Sequence, residues 1–197
     1  MTRAAGNPLR AWRRCSACGL AAVRRCVVLG RGEPGGVCFV GEAPGKAEEI
    51  LGAPFVGPSG RLLADMVSEA HRLAYLESGS VPIYITNTCA CRPQDAEGGN
   101  RAPTDAEAVA CRPRLRAELA YARPLRVVFL GNVADKFARP EWRDGFRMLH
   151  PAYLLRKGGA ASYEFLRGCR DLQGIFMACA RILGVAAPRR RPTVGRG

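Results

Sequence analysis

The sequence predicts an α/β fold built on a central, mostly parallel sheet, and three observations carry that reading. Short apolar runs at 37–40, 83–86 and 125–130 have the length of strands, and the first and third lack the polar alternation of a strand with one wet face. Each run ends at a turn-forming residue, Gly41, Asn87 or Gly131. Between the runs lie segments with helical periodicity, which is the alternation that parallel strands need for their crossovers. A fourth strand is expected at Cys26–Leu29, making a four-stranded sheet.

In chain order, residues 1–14 are basic and irregular, with Trp12 starting a short helix. They contain no apolar stretch of the kind a secretory leader carries, and no run in the chain reaches membrane-spanning length. A cytoplasmic location in a bacterial or archaeal cell, with no membrane partner, is therefore expected. Cys15-Ser16-Ala17-Cys18 follows, a spacing that lets two thiolates grip one metal from a single turn. After the Cys26–Leu29 run, a glycine-rich turn at 30–36 leads to the central strand, Val37–Val40.

That strand feeds a loop, Gly41-Glu42-Ala43-Pro44-Gly45, with Glu48 and Glu49 shortly after. In open α/β sheets, loops at the carboxyl ends of strands are where ligands bind. Pro54-Phe55-Val56-Gly57 presents an aromatic ring on a second bend. A helix is expected from Ser59, as N-cap, to about Leu76, with Leu62, Leu63, Met66, Val67, Ala70 and Leu73 on one face. Acidic loop, aromatic bend and capped helix make a pocket that stacks a flat ring beside a carboxylate. His71 reads as a surface residue.

The strand at 83–86 ends in Asn87, whose amide offers a donor and an acceptor into the same crevice. A polar loop at 94–102 precedes a Thr104-x-x-Glu107 capping box. The helix it starts carries Cys111, is kinked by Pro113 and resumes to about Tyr121. Residues 139–148 read as a polar surface loop. His150 precedes a proline and is held extended; Tyr153, Leu154, Leu155 and Arg156 then follow in a loop. The last helix spans about 162–183, with Gly184 as C-cap and Cys169 and Cys179 in its apolar face. One domain, 1–187, and a basic tail, 188–197, account for the chain.

The chain has 197 residues and a formal net charge of +13, almost all from arginine. Such an excess favours a polyanionic partner. Nine cysteines outside an exporting context point to metal or cluster binding more than to disulfides. Cys26 and Cys38 lie in apolar runs and read as core. Cys15 with Cys18, and Cys91 with Cys111, form two groups, with Cys89 an alternative ligand beside Cys91; from spacing alone four thiolates suit an iron–sulfur cluster or structural zinc equally.

The 41–63 stretch (G-E-A-P-G, two acidic residues, G-x-P-F-V-G, S-G-x-L-L) resembles the first motif of the family 4, iron–sulfur-containing uracil-DNA glycosylases. The resemblance extends to the N-terminal C-x2-C, to Thr86–Pro93, to Asn100–Glu107 with Cys111, and to the His150-Pro151-x-x-Leu154-Leu155 segment. The gap between Cys91 and Cys111 is a few residues longer than the family's pattern. The resemblance implies a three-layer α/β/α fold and a repair enzyme that flips uracil out of single- or double-stranded DNA and hydrolyses its N-glycosidic bond. It implies a structural [4Fe-4S] cluster on Cys15, Cys18, Cys91 and Cys111. It also implies roles: Gly41, Phe55 and Asn87 bind the base; Glu42, His150 and Glu48 serve catalysis; Tyr153, Leu154, Leu155 and Arg156 enter the duplex. A monomer is expected. The alternatives are a glycosylase of the same fold for another deaminated or modified base, and a non-catalytic DNA-binding iron–sulfur protein.

Overall fold

The computed structural model describes residues 8–185. A 3-10 segment, Pro8–Arg14, and one helical turn, α1 (Leu20–Val23), precede the sheet. Then follow β1 (Arg31–Gly32), β2 (Val37–Gly41), α2 (Lys46–Leu51), α3 (Pro58–Leu73) and β3 (Ile83–Asn87). The second half holds α4 (Asp105–Ala122), β4 (Arg126–Leu130), α5 (Asn132–Ala138), β5 (Phe146–Met148), α6 (Pro151–Arg156) and α7 (Tyr163–Leu183). The basic tail at 188–197 lies outside the described residues. No helix among the described residues is long and apolar enough to cross a membrane.

The sheet order is β1-β3-β2-β4-β5. β2 pairs in parallel with β3 and β4, and β4 with β5; only β1 runs antiparallel, against β3. Successive β2 side chains point to opposite faces. Val37 and Phe39 join Val128, Leu130 and the apolar faces of α3 and α7 in one core. Cys38 and Val40 join Val127, Phe129 and Leu115 and Leu119 of α4 in the other. The result is a three-layer α/β/α fold, as expected.

The sheet has five strands where four were expected, and its membership differs at both edges. Cys26–Leu29 is not a strand. Val27 and Val28 are buried, but they lie against the 89–91 turn through a single Val28 N–H bond to the Ala90 carbonyl, and the Cys26 thiol donates to the Glu49 carbonyl. Burial there comes from loop packing without a ladder. Conversely, Phe146–Met148 pairs with β4 although it is short, lies in a mostly polar stretch and has only Met148 buried; Gly145 makes this possible, since a Cβ there would sit 2.2 Å from the Phe129 ring.

Three helical expectations also change. α3 starts at Pro58 with Gly57 as N-cap, so Ser59 lies inside the helix. α4 runs unbroken through Pro113, and its Thr104–Glu107 capping box is in place. His71 is buried, bonding Nδ1 to the Val67 carbonyl at 2.9 Å and packing 4.2 Å from the Phe176 ring, because its helical position faces α7. Gly184 caps α7 in the left-handed conformation, and Cys38, Cys169 and Cys179 are core.

Candidate active site

The carboxyl ends of β2 and β3 lie side by side, with Gly41 opposite Asn87. Gly41 carries no side chain for a steric reason: a Cβ there would lie 2.4 Å from Asn87 Oδ1 and 2.5 Å from the Phe55 ring. Gly41→Ala is therefore expected to displace both groups and to abolish function with little loss of secondary structure, checked by circular dichroism beside an activity assay. At the neighbouring strand ends, Gly131 (φ +91°) leaves room for the His150 side chain, whose Cβ would be 3.1 Å from an added methyl.

Phe55, Asn87, His150 and Glu48 line one open cavity of about 350 Å³, together with Ala43, Lys46, Ser59 and Asn100. The Phe55 and His150 ring centres are 6.4 Å apart. Lys46, Ser59 and Asn100 are not among the site residues expected from the sequence, where Ser59 is read only as a helix cap. Asn100 sits in the Asn100–Glu107 segment already quoted. It is held by Arg92, whose Nε donates 2.6 Å to Asn100 Oδ1 and whose Nη1 lies 3.5 Å from buried Glu49.

Phe55 occupies the left-handed region, φ 54°, a conformation that costs a non-glycine residue about 1–2 kcal/mol. Glu48 holds it there. One Glu48 oxygen accepts from Val56 N–H at 3.0 Å and Gly57 N–H at 2.8 Å, and the other from Gly45 N–H at 3.2 Å. Both oxygens are thus engaged by backbone, and one carboxylate clamps the acidic loop to the aromatic bend. Glu48→Ala leaves three amides without that acceptor. It is expected to destabilise the protein by about 1–3 kcal/mol, read by denaturant unfolding, and to loosen Phe55.

His150 is the N-cap of α6, and its Nδ1 accepts from the Ala152 N–H at 3.1 Å. An accepting Nδ1 leaves the proton of the neutral ring on Nε2, free to donate into the cavity. Burial, and secondarily the Arg156 charge, hold the His150 pKa below its usual value. Glu42 does not line this cavity. Its side chain is half-buried, burial raises its pKa, and its carbonyl anchors the Cys89 N–H.

The segment after His150 is a helix, not the loop expected. Leu154 faces the core at 1% exposure, while Tyr153 and Leu155 project at 37% and 40%. Leu154 is thus packed away from any duplex, because the i, i+4 spacing turns it inward toward α3 and α7. The Arg156 guanidinium lies 6.0 Å from the Tyr153 ring centre.

Cys15, Cys18, Cys91 and Cys111 border a second, small cavity with Cys89, Arg24 and Arg114. Among the described residues, no three Cys, His, Asp or Glu side chains close on one point as a single ion requires. Two guanidinium groups face the sulfurs: Arg24 at 3.8 Å from Cys91 and Arg114 at 3.4 Å from Cys111. A hydrogen bond from Cys89 and the Arg114 charge hold the Cys111 thiol well below its usual pKa, against burial. Burial pushes Cys91 up to about 11, opposed by Arg24. Cys26, read as core, is only partly buried.

The model of the Uracil DNA glycosylase superfamily matches residues 30–172, which include Phe55, Asn87 and His150 but not Cys15 and Cys18. A type-4 uracil-DNA glycosylase of Thermotoga maritima is 35% identical over 164 residues, covering 73% of this chain and 79% of the relative. Those of Pyrobaculum aerophilum and Saccharolobus solfataricus are 40% and 37% identical over 62% and 64% of this chain; the match spans only 58% and 54% of those relatives. The chain belongs to the uracil DNA glycosylase superfamily, among its type-4 members.

Proposed function

We propose that the chain is a uracil-DNA glycosylase: it extrudes deoxyuridine from DNA and hydrolyses the bond between uracil N1 and the sugar C1′. The observation that carries this is the convergence of Phe55, Asn87 and His150 on one cavity at the carboxyl edge of the sheet. The names of the type-4 relatives support it.

The target carbon is inaccessible in the stack, so the nucleotide must leave the duplex. Tyr153 and Leu155 are the exposed wedge that fills the gap, with Arg156 and the net positive charge holding phosphates. Phe55 stacks on the flipped ring. The Asn87 amide accepts from uracil N3–H and donates to O4; cytosine presents the opposite pattern at both atoms. As the C1′–N1 bond breaks, its electron pair moves into the base and spreads onto O2 and O4. The His150 Nε2–H donates to O2 as that charge develops, a preorganised term that needs no protonated imidazole. Water adds to C1′, and its proton is lost to a carboxylate. Glu48 lines the cavity, but both its oxygens already accept backbone bonds, which makes it the clamp; Glu42, on the same loop but outside the cavity lining, is the carboxylate left for the water once the loop moves around the bound nucleotide.

The four cysteines fit a [4Fe-4S] cluster: the donor set is all sulfur, and two arginines donate to it as they would to thiolates. When bound, the cluster supplies a staple between the N-terminal segment, the 89–91 turn and α4; glycosyl hydrolysis asks nothing of its redox chemistry. Protein isolated without oxygen is expected to be brown and to contain iron and sulfide. Colourless, zinc-loaded protein would contradict this.

The test of the function is base release from one set of oligonucleotides carrying uracil, hypoxanthine, thymine or cytosine, single-stranded and paired. Release of uracil without added metal or ATP is expected. Release of hypoxanthine alone would favour a same-fold enzyme for another deaminated base.

A further inference from the structure

Arg114 heads the largest fully buried side chains, at 1% exposure. It stands on α4 three residues after Cys111 and four before Glu118, on the helix face that meets the sheet. Its Nη2 lies 2.7 Å from the Asn87 carbonyl, 2.5 Å from the Thr88 carbonyl and 3.4 Å from Cys111 Sγ. Its Nη1 donates to Thr86 Oγ1 at 3.1 Å and lies 3.4 Å from Glu118 Oε2.

A guanidinium placed only to neutralise a carboxylate would offer two parallel bonds to it. Here the Glu118 contact is single and long, the Nε–H has no acceptor among the described residues, and the shortest bonds go to the two carbonyls. Glu118 is also occupied elsewhere, accepting from Gly30 N–H at 3.1 Å and from the Thr86 hydroxyl. The guanidinium is therefore placed for the peptide groups after Asn87. Those peptides set the direction of the Asn87 side chain. On their other side, the Thr88 N–H and hydroxyl are pinned to the Gly41 carbonyl at 2.8 and 3.0 Å.

We propose that Arg114 is a positioning residue that ties the Cys111 sulfur to the peptide groups aiming Asn87, so that the base-reading amide is seated only when the cysteine cavity is assembled. This rests on the reading of Asn87 as the uracil-recognising group. Among the described residues, the linings of the two cavities have no side chain in common.

The test uses the full chain with its cysteine-bound group in place. Arg114→Lys keeps the charge but cannot reach two carbonyls and a sulfur together. Arg114→Met with Glu118→Gln removes both charges, a change buried ion pairs often tolerate. For each variant, single-turnover uracil release is expected to slow by roughly 10- to 100-fold, as a misplaced contact costs. Affinity for a duplex with an abasic analogue should change by less than about twofold, since phosphate contacts dominate it. The reduction potential of the cysteine-bound group should fall, because a hydrogen bond to a sulfur ligand is lost. Should Arg114→Lys not fold, the double variant carries the test. Parental rates, an unchanged potential, or a rate loss that merely follows the fraction of folded protein overturn the proposal. If the parent releases no uracil, the glycosylase reading falls with it; if the parent is active and the variants equal it, only the role of Arg114 falls.

Discussion

Replacing His150 by Ala is expected to slow uracil release by roughly 10²–10³-fold, the cost of losing one preorganised donor to a developing oxyanion. The same change removes the N-cap of α6, worth about 0.5–2 kcal/mol, so a lower melting temperature should accompany the slower rate. Affinity for DNA should persist, since the arginines remain. The pH profile follows from the ring's state. His150 has a folded pKa below its ordinary value, so it is neutral at pH 7 with Nδ1 accepting and Nε2 donating. Protonation would set an Nδ1–H against the Ala152 N–H. Burial, and secondarily the Arg156 charge, disfavour the imidazolium in the folded state, so the stability tied to the neutral ring is complete above the unfolded imidazole range, about pH 6.5, and is lost as pH falls through the lower folded value. Excision should therefore hold level through neutrality and fall in acid together with the stability of α6. A rate that rises on acidification would mean that imidazolium is the working form.

Asn87→Asp is the second large effect. Aspartate cannot donate to uracil O4, and two oxygens then meet without a proton between them. Leaving such a pair unmatched in the site costs about 1–3 kcal/mol, which is roughly 5- to 160-fold in single-turnover rate. Cytosine, which presents an amine where uracil presents O4, should lose its disadvantage relative to uracil. Unchanged discrimination between the two bases would remove Asn87 from recognition.

Much of this was legible in the sequence for local reasons. β2, β3 and β4 announce themselves because a strand buried on both faces must be apolar throughout or nearly so, and Gly41, Asn87 and Gly131 mark where each stops. Phe55, Asn87 and His150 each sit just beyond such an end or on a bend. Other features depend on partners far along the chain. β5 is three residues long within a polar stretch, and exists because the edge of β4 has room for it beside Gly145. Val27 and Val28 look like strand residues yet fill the space behind the 89–91 turn. His71 looks solvated until α7 covers it. Leu154 looks like part of an apolar tip until α6 turns it inward. Arg114 and Glu118 had a signal, an i, i+4 pair in register with Cys111 and Leu115, but charged residues on a helix ordinarily read as its wet face. Glu48 as the holder of a strained Phe55 could not be read at all, since a backbone conformation leaves no trace in composition.

The most direct measurement is a crystal structure of the protein with a product duplex containing an abasic site and free uracil. The base is expected in the 350 Å³ cavity, stacked on Phe55, its edge paired with the Asn87 amide and its O2 facing His150 Nε2. A larger cavity, about 490 Å³, lies between α6 and α7 and is lined by Met148, Tyr163 and Arg167. Uracil found there, or a Phe55 ring turned away from the base, would contradict the assignment.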